Sequence, residues 1–181
     1  VMRSYGERDT KGVEHARWRD VNANRTSQVQ SFAIVRNPWS KVVSRYLFAK
    51  QAVQRNLLKP DYANTNSLDA FIEERHKWID KDLTWYRAIR GWHPQMDHVT
   101  DTAGNVKCDI LRLEHLNTDA VKYFGIEEMP RARNVTSIKE NYKDLYNPVT
   151  IQIIADWYKK DIDHWGFDFD TSATKNYWDM K

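Results

Sequence analysis

The chain has 181 residues, 41% of them hydrophobic and 29% charged, an ordinary globular composition with enough apolar side chains for one substantial core. Its net charge is +3 with Lys and Arg spread along the sequence, which suits a phosphorylated or anionic ligand and argues against the one-sided basic stripe of a nucleic-acid-binding domain. A single cysteine, Cys108, excludes an internal disulfide and a cysteine-cluster metal site, and no apolar run reaches the length of a membrane span.

The lone cysteine and the absence of a signal peptide point to a reducing, cytoplasmic setting. Asn24-Arg-Thr and Asn134-Val-Thr match glycosylation sequons and are read as chance. Eight Trp and nine Tyr suit a core, or a groove that stacks on planar ligands, with the core the simpler assignment.

In chain order, Val13–Asn22 reads as a short helix with Trp18 and Val21 on one face. Ser31–Arg36 is a β-rich apolar run expected as a buried strand. Asn37-Pro38 breaks it, and Pro at a first helical position loses no hydrogen bond. A helix is expected from Trp39 to about Val53, with Val42, Val43, Tyr46, Leu47 and Phe48 as its apolar stripe. Lys59–Asn66 reads as a loop, and Ser67 caps a helix that buries Leu68, Phe71 and Ile72. Trp78–Arg90 suggests a further helix or helical loop.

Asp101–Asn105 is a turn signal before an alternating strand over Val106–Leu113. Leu116–Phe124 reads as a helix stopped by Gly125. Pro148 begins a last helix to about Trp165, with Ile151, Ile154, Ala155, Tyr158 and Ile162 inward and Gly166 as its stop. With no repeat, low-complexity tract or linker, the expectation is one α/β domain over residues 1–181.

A strand that ends in Arg36 and turns through Asn-Pro into a helix is a suitable seat for a phosphate. The helix start offers unpaired N–H groups and partial positive charge, and the guanidinium adds a planar donor fork. Ser44, eight residues after Arg36, lies on the helix face of Ser40 and Phe48 and could donate to the same phosphate. The competing structural assignment is Arg36 paired with a carboxylate and Ser44 bonded back to the carbonyl one turn earlier. The chemistry alone leaves the two even.

The segment Phe32-Ala-Ile-Val-Arg-Asn-Pro-Trp-Ser-Lys-Val-Val-Ser-Arg-Tyr-Leu-Phe48 resembles the 3′-phosphate-binding segment of PAPS-dependent sulfotransferases, especially the carbohydrate type of Golgi enzymes and their bacterial and phage relatives. Three further pieces resemble the family in the right order. They are Asp109-Ile-Leu-Arg-Leu-Glu-His-Leu116, Asn134-Val-Thr-Ser-Ile-Lys139 with Tyr142 and Tyr146, and Trp157–Phe167, together spanning roughly residues 13–170. The resemblance implies a P-loop-like three-layer domain, a central mostly parallel sheet flanked by helices. It implies PAPS as co-substrate, Arg36 and Ser44 on its 3′-phosphate, and Asn134, Ser137 and Lys139 as further nucleotide contacts.

The family's first strand leads into a Lys-Thr-Gly-Gly-Thr-like loop that cradles the 5′-phosphosulfate, and no such motif precedes Ser31. Asp9-Thr-Lys-Gly12 has the residue types without a preceding strand. Ser172-Ala-Thr-Lys175 would serve only in a permuted order or with the tail folded back. The expectation is therefore a sulfotransferase domain that lacks the first strand and loop, or is permuted.

On the acceptor side, sulfonyl transfer needs a base for the acceptor hydroxyl. His15 is the candidate, with Glu14 and Glu114 behind it and a surface role for His15 as the alternative. His93 and Gln95, in a segment that resembles one near the family's acceptor, are expected to contact a hydroxyl-bearing small molecule or glycan. His93 and His98 are five apart, poor spacing for a metal pair on one helix, so no metal is expected. A non-catalytic adenosine-phosphate-binding module of the same fold is the competing class. A nucleoside-phosphate kinase would need a Walker loop that the chain lacks.

Overall fold

The run Phe-Ala-Ile-Val forms a strand, β1 (Phe32–Val35), and β2 (Asp109–Arg112) lies parallel beside it in a two-stranded sheet. The register pairs Phe32 with Asp109, Ala33 with Ile110, Ile34 with Leu111 and Val35 with Arg112. Because side chains alternate across a strand, Val35 and Ile110 enter the main core, while Phe32, Ile34, Asp109 and Leu111 share the opposite face. The computed structural model describes residues 17–18, 30–78, 92–129 and 141–170. The helix expected over 13–22, apart from 17–18, and the stretch expected beyond Trp78 lie outside these residues.

After β1 the chain enters α1 (Pro38–Gln54), with Pro38 at its first position as the sequence predicts. Asn37 caps it: the side-chain carbonyl accepts from the N–H groups of Trp39 and Ser40, and the side-chain NH2 donates to the Asp168 carbonyl at 2.7 Å. Helix α1 gives Trp39, Val42, Val43, Tyr46, Leu47, Ala49 and Ala52 to the core. Each large apolar side chain fully buried this way contributes about 1.5–3 kcal/mol, so packing rather than intrinsic propensity holds the helix. Phe48 departs from the expected stripe and stays 41% exposed. At 3.6 residues per turn it sits about 200° around the helix from Tyr46.

Ser67 accepts from the Ala70 N–H and starts α2 (Leu68–Glu73), which buries Leu68, Phe71 and Ile72 as expected and leads to α3 (Arg75–Trp78). A short helix, α4 (Gln95–Val99), precedes a tight turn in which the Asp101 carboxylate accepts from the N–H groups of Ala103 and Asn105. The strand expected over Val106–Leu113 is shorter at both ends. Val106 forms an isolated antiparallel bridge with Thr100, closing that turn, and Leu113 already belongs to a 3-10 turn, Leu113–His115.

Helix α5 (Leu116–Phe124) has the expected bounds and ends at Gly125, whose φ of 62° lies in the left-handed region that favours glycine. It covers the second face of β2: Phe124 meets Phe32 edge-on at 4.9 Å, and the Tyr123 hydroxyl donates to Asp109 at 2.5 Å. The same face of β1 is less covered, with Phe32 40% and Ile34 47% exposed, so the expected fully buried strand is half-buried. The last helical run is broken at Tyr158 into α6 (Pro148–Trp157) and α7 (Lys159–Trp165). Tyr158 takes φ −105°, ψ 24°, outside the helical well, while its N–H and carbonyl keep their bonds to Ile154 and Ile162. The expected inward residues all meet the core, and two more, Asp161 and Trp165, join them. Ile154, Tyr158, Asp161 and Trp165 are fully buried, while Ile151, Ala155 and Ile162 are half-buried.

Asn37 thus joins the start of α1 to the segment after α7. Asn37→Ala removes a cap worth about 1 kcal/mol and leaves the Asp168 carbonyl without this donor, for a total loss of about 2–3 kcal/mol. Urea unfolding measures it, and a loss below about 0.5 kcal/mol would show that the cap is dispensable.

Candidate functional site

The carboxyl ends of both parallel strands point to one place, and side chains from four segments converge there. Arg36 follows β1, Glu114 follows β2, Gln95 opens α4 and Asp161 lies in α7. The Gln95 side-chain carbonyl accepts from the Arg36 backbone N–H at 2.8 Å, and its NH2 donates to the Arg36 backbone carbonyl at 2.8 Å. A side-chain amide therefore pairs with the Arg36 peptide groups where the chain leaves the sheet. Glu114 Oε1 accepts from the Asn37 N–H at 2.7 Å, while its Oε2 is enclosed without a hydrogen-bond partner among the described residues.

The Arg36 guanidinium is tethered at one point: Nε donates to Ser40 Oγ at 2.9 Å. Neither terminal nitrogen has a hydrogen-bond partner among the described residues. Burial lowers the Arg36 pKa and the nearby Glu114 charge opposes that shift; an arginine stays protonated throughout. The alternative in which Arg36 is ion-paired and Ser44 bonds back along the helix is not what forms. Ser44 is half-buried one turn beyond Ser40 on the same face, and its hydroxyl makes no hydrogen bond among the described residues.

The helix N–H groups expected to hold a phosphate are not open. The first helical N–H groups, at Trp39 and Ser40, already donate to Asn37, and the Lys41 N–H donates to the Asn37 carbonyl. An anion here would be held by side chains rather than by open helix N–H groups. Gln95, expected at the acceptor, has its amide engaged by Arg36 and, at 3.2 Å, by Asp161. The His93 ring lies 6.2 Å from that of His98, and the His93 carbonyl accepts from Lys41 Nζ at 2.9 Å. Trp39 is buried with its indole N–H on the Ile151 carbonyl, and Tyr142 donates to the Phe169 carbonyl, so both serve packing as the simpler expectation had it. His15, Asn134, Ser137, Lys139 and the segments 9–12 and 172–175 lie outside the described residues.

Lys41 and Asp161, unforeseen in the sequence, also belong to the site. Asp161 is fully buried and accepts from the backbone N–H groups of Gln95 and Met96 at 2.8 and 2.9 Å. Burial raises its pKa, against the pull of Lys41 and those donors. The Lys41 ammonium is enclosed over the Tyr158 ring at 4.6 Å, although the residue as a whole is only half-buried. Burial lowers its pKa to about 7, with Asp161 and Asp97 opposing and Arg45 assisting. The signal for Asp161 was its place in the series Ile154, Tyr158, Asp161, Trp165, a helical stripe in which one position is charged.

Among the described residues, no group of three or more His, Cys, Asp or Glu is placed to hold a metal, and no helix is long and apolar enough to cross a membrane. A groove of about 490 Å³ holds Cys108, Asp109 and His164 at the opposite end of β2. Burial pushes the Cys108 thiol up to about 11, so it stays protonated near neutral pH and is no ready nucleophile. No protein-family model, curated protein or solved structure matches the chain.

The enclosed lysine predicts a pH dependence of stability. The folded chain holds Lys41 near 7 and the unfolded chain near 10.5, so between those values the unfolded state binds more protons. Stability gained from this group therefore rises with pH above about 7, by at most about 1.4 kcal/mol per pH unit. In urea unfolding at pH 6 to 9, the difference between wild type and Lys41→Met should grow in favour of wild type as pH rises; a pH-independent difference would refute the assignment.

Proposed function

We propose that the chain is a PAPS-dependent sulfotransferase domain of P-loop-like three-layer architecture, with Arg36 and Ser44 on the 3′-phosphate of the nucleotide. The observation that carries this reading is the Arg36 guanidinium at the strand ends, oriented through Nε by Ser40, with no partner for either terminal nitrogen or for the Ser44 hydroxyl, on the helix face of Ser40, among the described residues. A guanidinium tethered by one nitrogen keeps its outer edge for a bidentate phosphate contact. The resemblance of Phe32–Phe48 to the family segment supplies the nucleotide's identity, and Asn134, Ser137 and Lys139 would complete its contacts.

In the proposed reaction an acceptor hydroxyl oxygen attacks sulfur as the bond from sulfur to the phosphate oxygen breaks. The hydroxyl proton passes to a base, proposed as His15, and 3′,5′-adenosine diphosphate leaves. The acceptor is a hydroxyl-bearing small molecule or glycan, with His93 on its side of the site. Glu114 suits the base role less, because one carboxylate oxygen straps Asn37 and the other is enclosed. A second reading is an adenosine-phosphate-binding module of the same fold without catalysis.

Calorimetric titration with 3′,5′-adenosine diphosphate tests the site. Micromolar binding is expected, and Arg36→Ala weakens it about 10- to 150-fold, the loss of one charge-assisted contact. Arg36→Lys restores little, since an ammonium lacks the planar fork. No binding by a folded wild-type chain would overturn the reading. Binding without sulfonate transfer to any hydroxyl acceptor would favour the non-catalytic module.

A further inference from the structure

We infer that Gln95 is a positioning residue for Arg36, held in turn by Asp161 and Lys41, so that the affinity of the site for a phosphate is set by a buried network that touches no ligand. The inference rests on the reading of Arg36 as a phosphate ligand. Its basis is the two-sided clamp of the Gln95 amide on the Arg36 backbone, with both bonds at 2.8 Å across 59 residues of sequence.

A peptide at the end of a strand has lost its ladder partner, and its side chain moves with whatever the peptide finds next. Here the Arg36 peptide groups meet an amide with matched donor and acceptor. That amide also donates to Asp161, which binds the Gln95 and Met96 N–H groups. The residues before it are gripped from α1, where the Lys41 ammonium donates to the His93 carbonyl. The 93–96 segment is thus fixed from two helices, and through Gln95 it fixes the peptide from which the guanidinium extends. On the side-chain end, the Arg36 Nε bond to Ser40 completes the orientation. With the terminal nitrogens unbonded among the described residues, orientation comes from these two anchors.

A double-mutant cycle on the full chain decides the matter, with 3′,5′-adenosine diphosphate as probe. Gln95→Met keeps the length and volume of the side chain and removes the clamp. Alone it should weaken binding about tenfold, within the range for residues in direct contact, and in an Arg36→Ala background by less than about twofold. Amide hydrogen exchange at Arg36 should rise in Gln95→Met. Gln95→Glu supplies the same answer should Gln95→Met fail to fold. A carboxylate accepts from the Arg36 N–H yet donates to its carbonyl only when protonated, so affinity relative to wild type should recover as pH falls. Equal losses from Gln95→Met with and without Arg36 would mean that Gln95 meets the ligand itself, and would overturn the inference while leaving the phosphate site in place. Failure of wild type to bind the nucleotide would instead remove the reading and this inference together.

Discussion

A strand that leaves a sheet and turns into a helix leaves a run of peptide groups with no regular partner, and the organisation of this chain follows from how that run is satisfied. From Arg36 to Ser40 the unpaired groups are met by side chains: Gln95 for both groups of Arg36, Glu114 for the Asn37 N–H, and Asn37 itself for Trp39 and Ser40. Pro38 has no N–H to satisfy. Each partner comes from a different part of the sequence, so the turn gathers the start of α4, the residue after β2 and, through Asn37 and Asp168, the segment after α7. Leaving any of these buried groups unmet would cost about 1–3 kcal/mol, comparable to burying a large apolar side chain.

Much of the local structure was legible because its signals are local. Pro38, Ser67, Gly125 and Gly166 mark helix ends through the conformation or hydrogen bonding of one or two residues, and those ends fall where expected. The 3.6-residue period also identified most of the buried face of α1. The break at Tyr158 was not legible, since nothing in its neighbours distinguishes a kinked helix from a continuous one. Phe48 was assigned by hydrophobicity where its angle around the helix should have decided.

The polar constellation was legible only in part, for a reason of sequence distance. Arg36 and Ser44 lie on one strand–turn–helix, and their spacing is visible along the chain. Gln95 pairs with Arg36 across 59 residues, Asp161 with Gln95 across 66, and Asn37 with Asp168 across 131. No composition or periodicity encodes such pairs. Asn37-Pro38 was read as a breaker, which it is, but the amide of Asn37 is also the cap that fills the helix N–H groups that an anion was expected to use. Asp161 carried a weak signal, a charge within a helix's apolar stripe, and such a residue is explained only once its donors are known.

The charge of the site now matters more than its N–H groups. The cap is Asn rather than Asp, so the helix start is satisfied without placing a second carboxylate beside Arg36. Glu114 is already nearby, and its charge opposes the effect of burial on Arg36, although the two form no ion pair. In the proposed complex a phosphate dianion would gain the bidentate contact with the guanidinium and the Ser44 hydroxyl, but it would also meet a carboxylate whose one oxygen is locked on Asn37. The partial positive end of α1 offsets that repulsion in part, since capping by a neutral amide leaves the helix dipole in place. In that proposal recognition would depend on how accurately Arg36 is aimed rather than on an excess of positive charge, and the clamp on its backbone and the tether on its Nε together fix that aim.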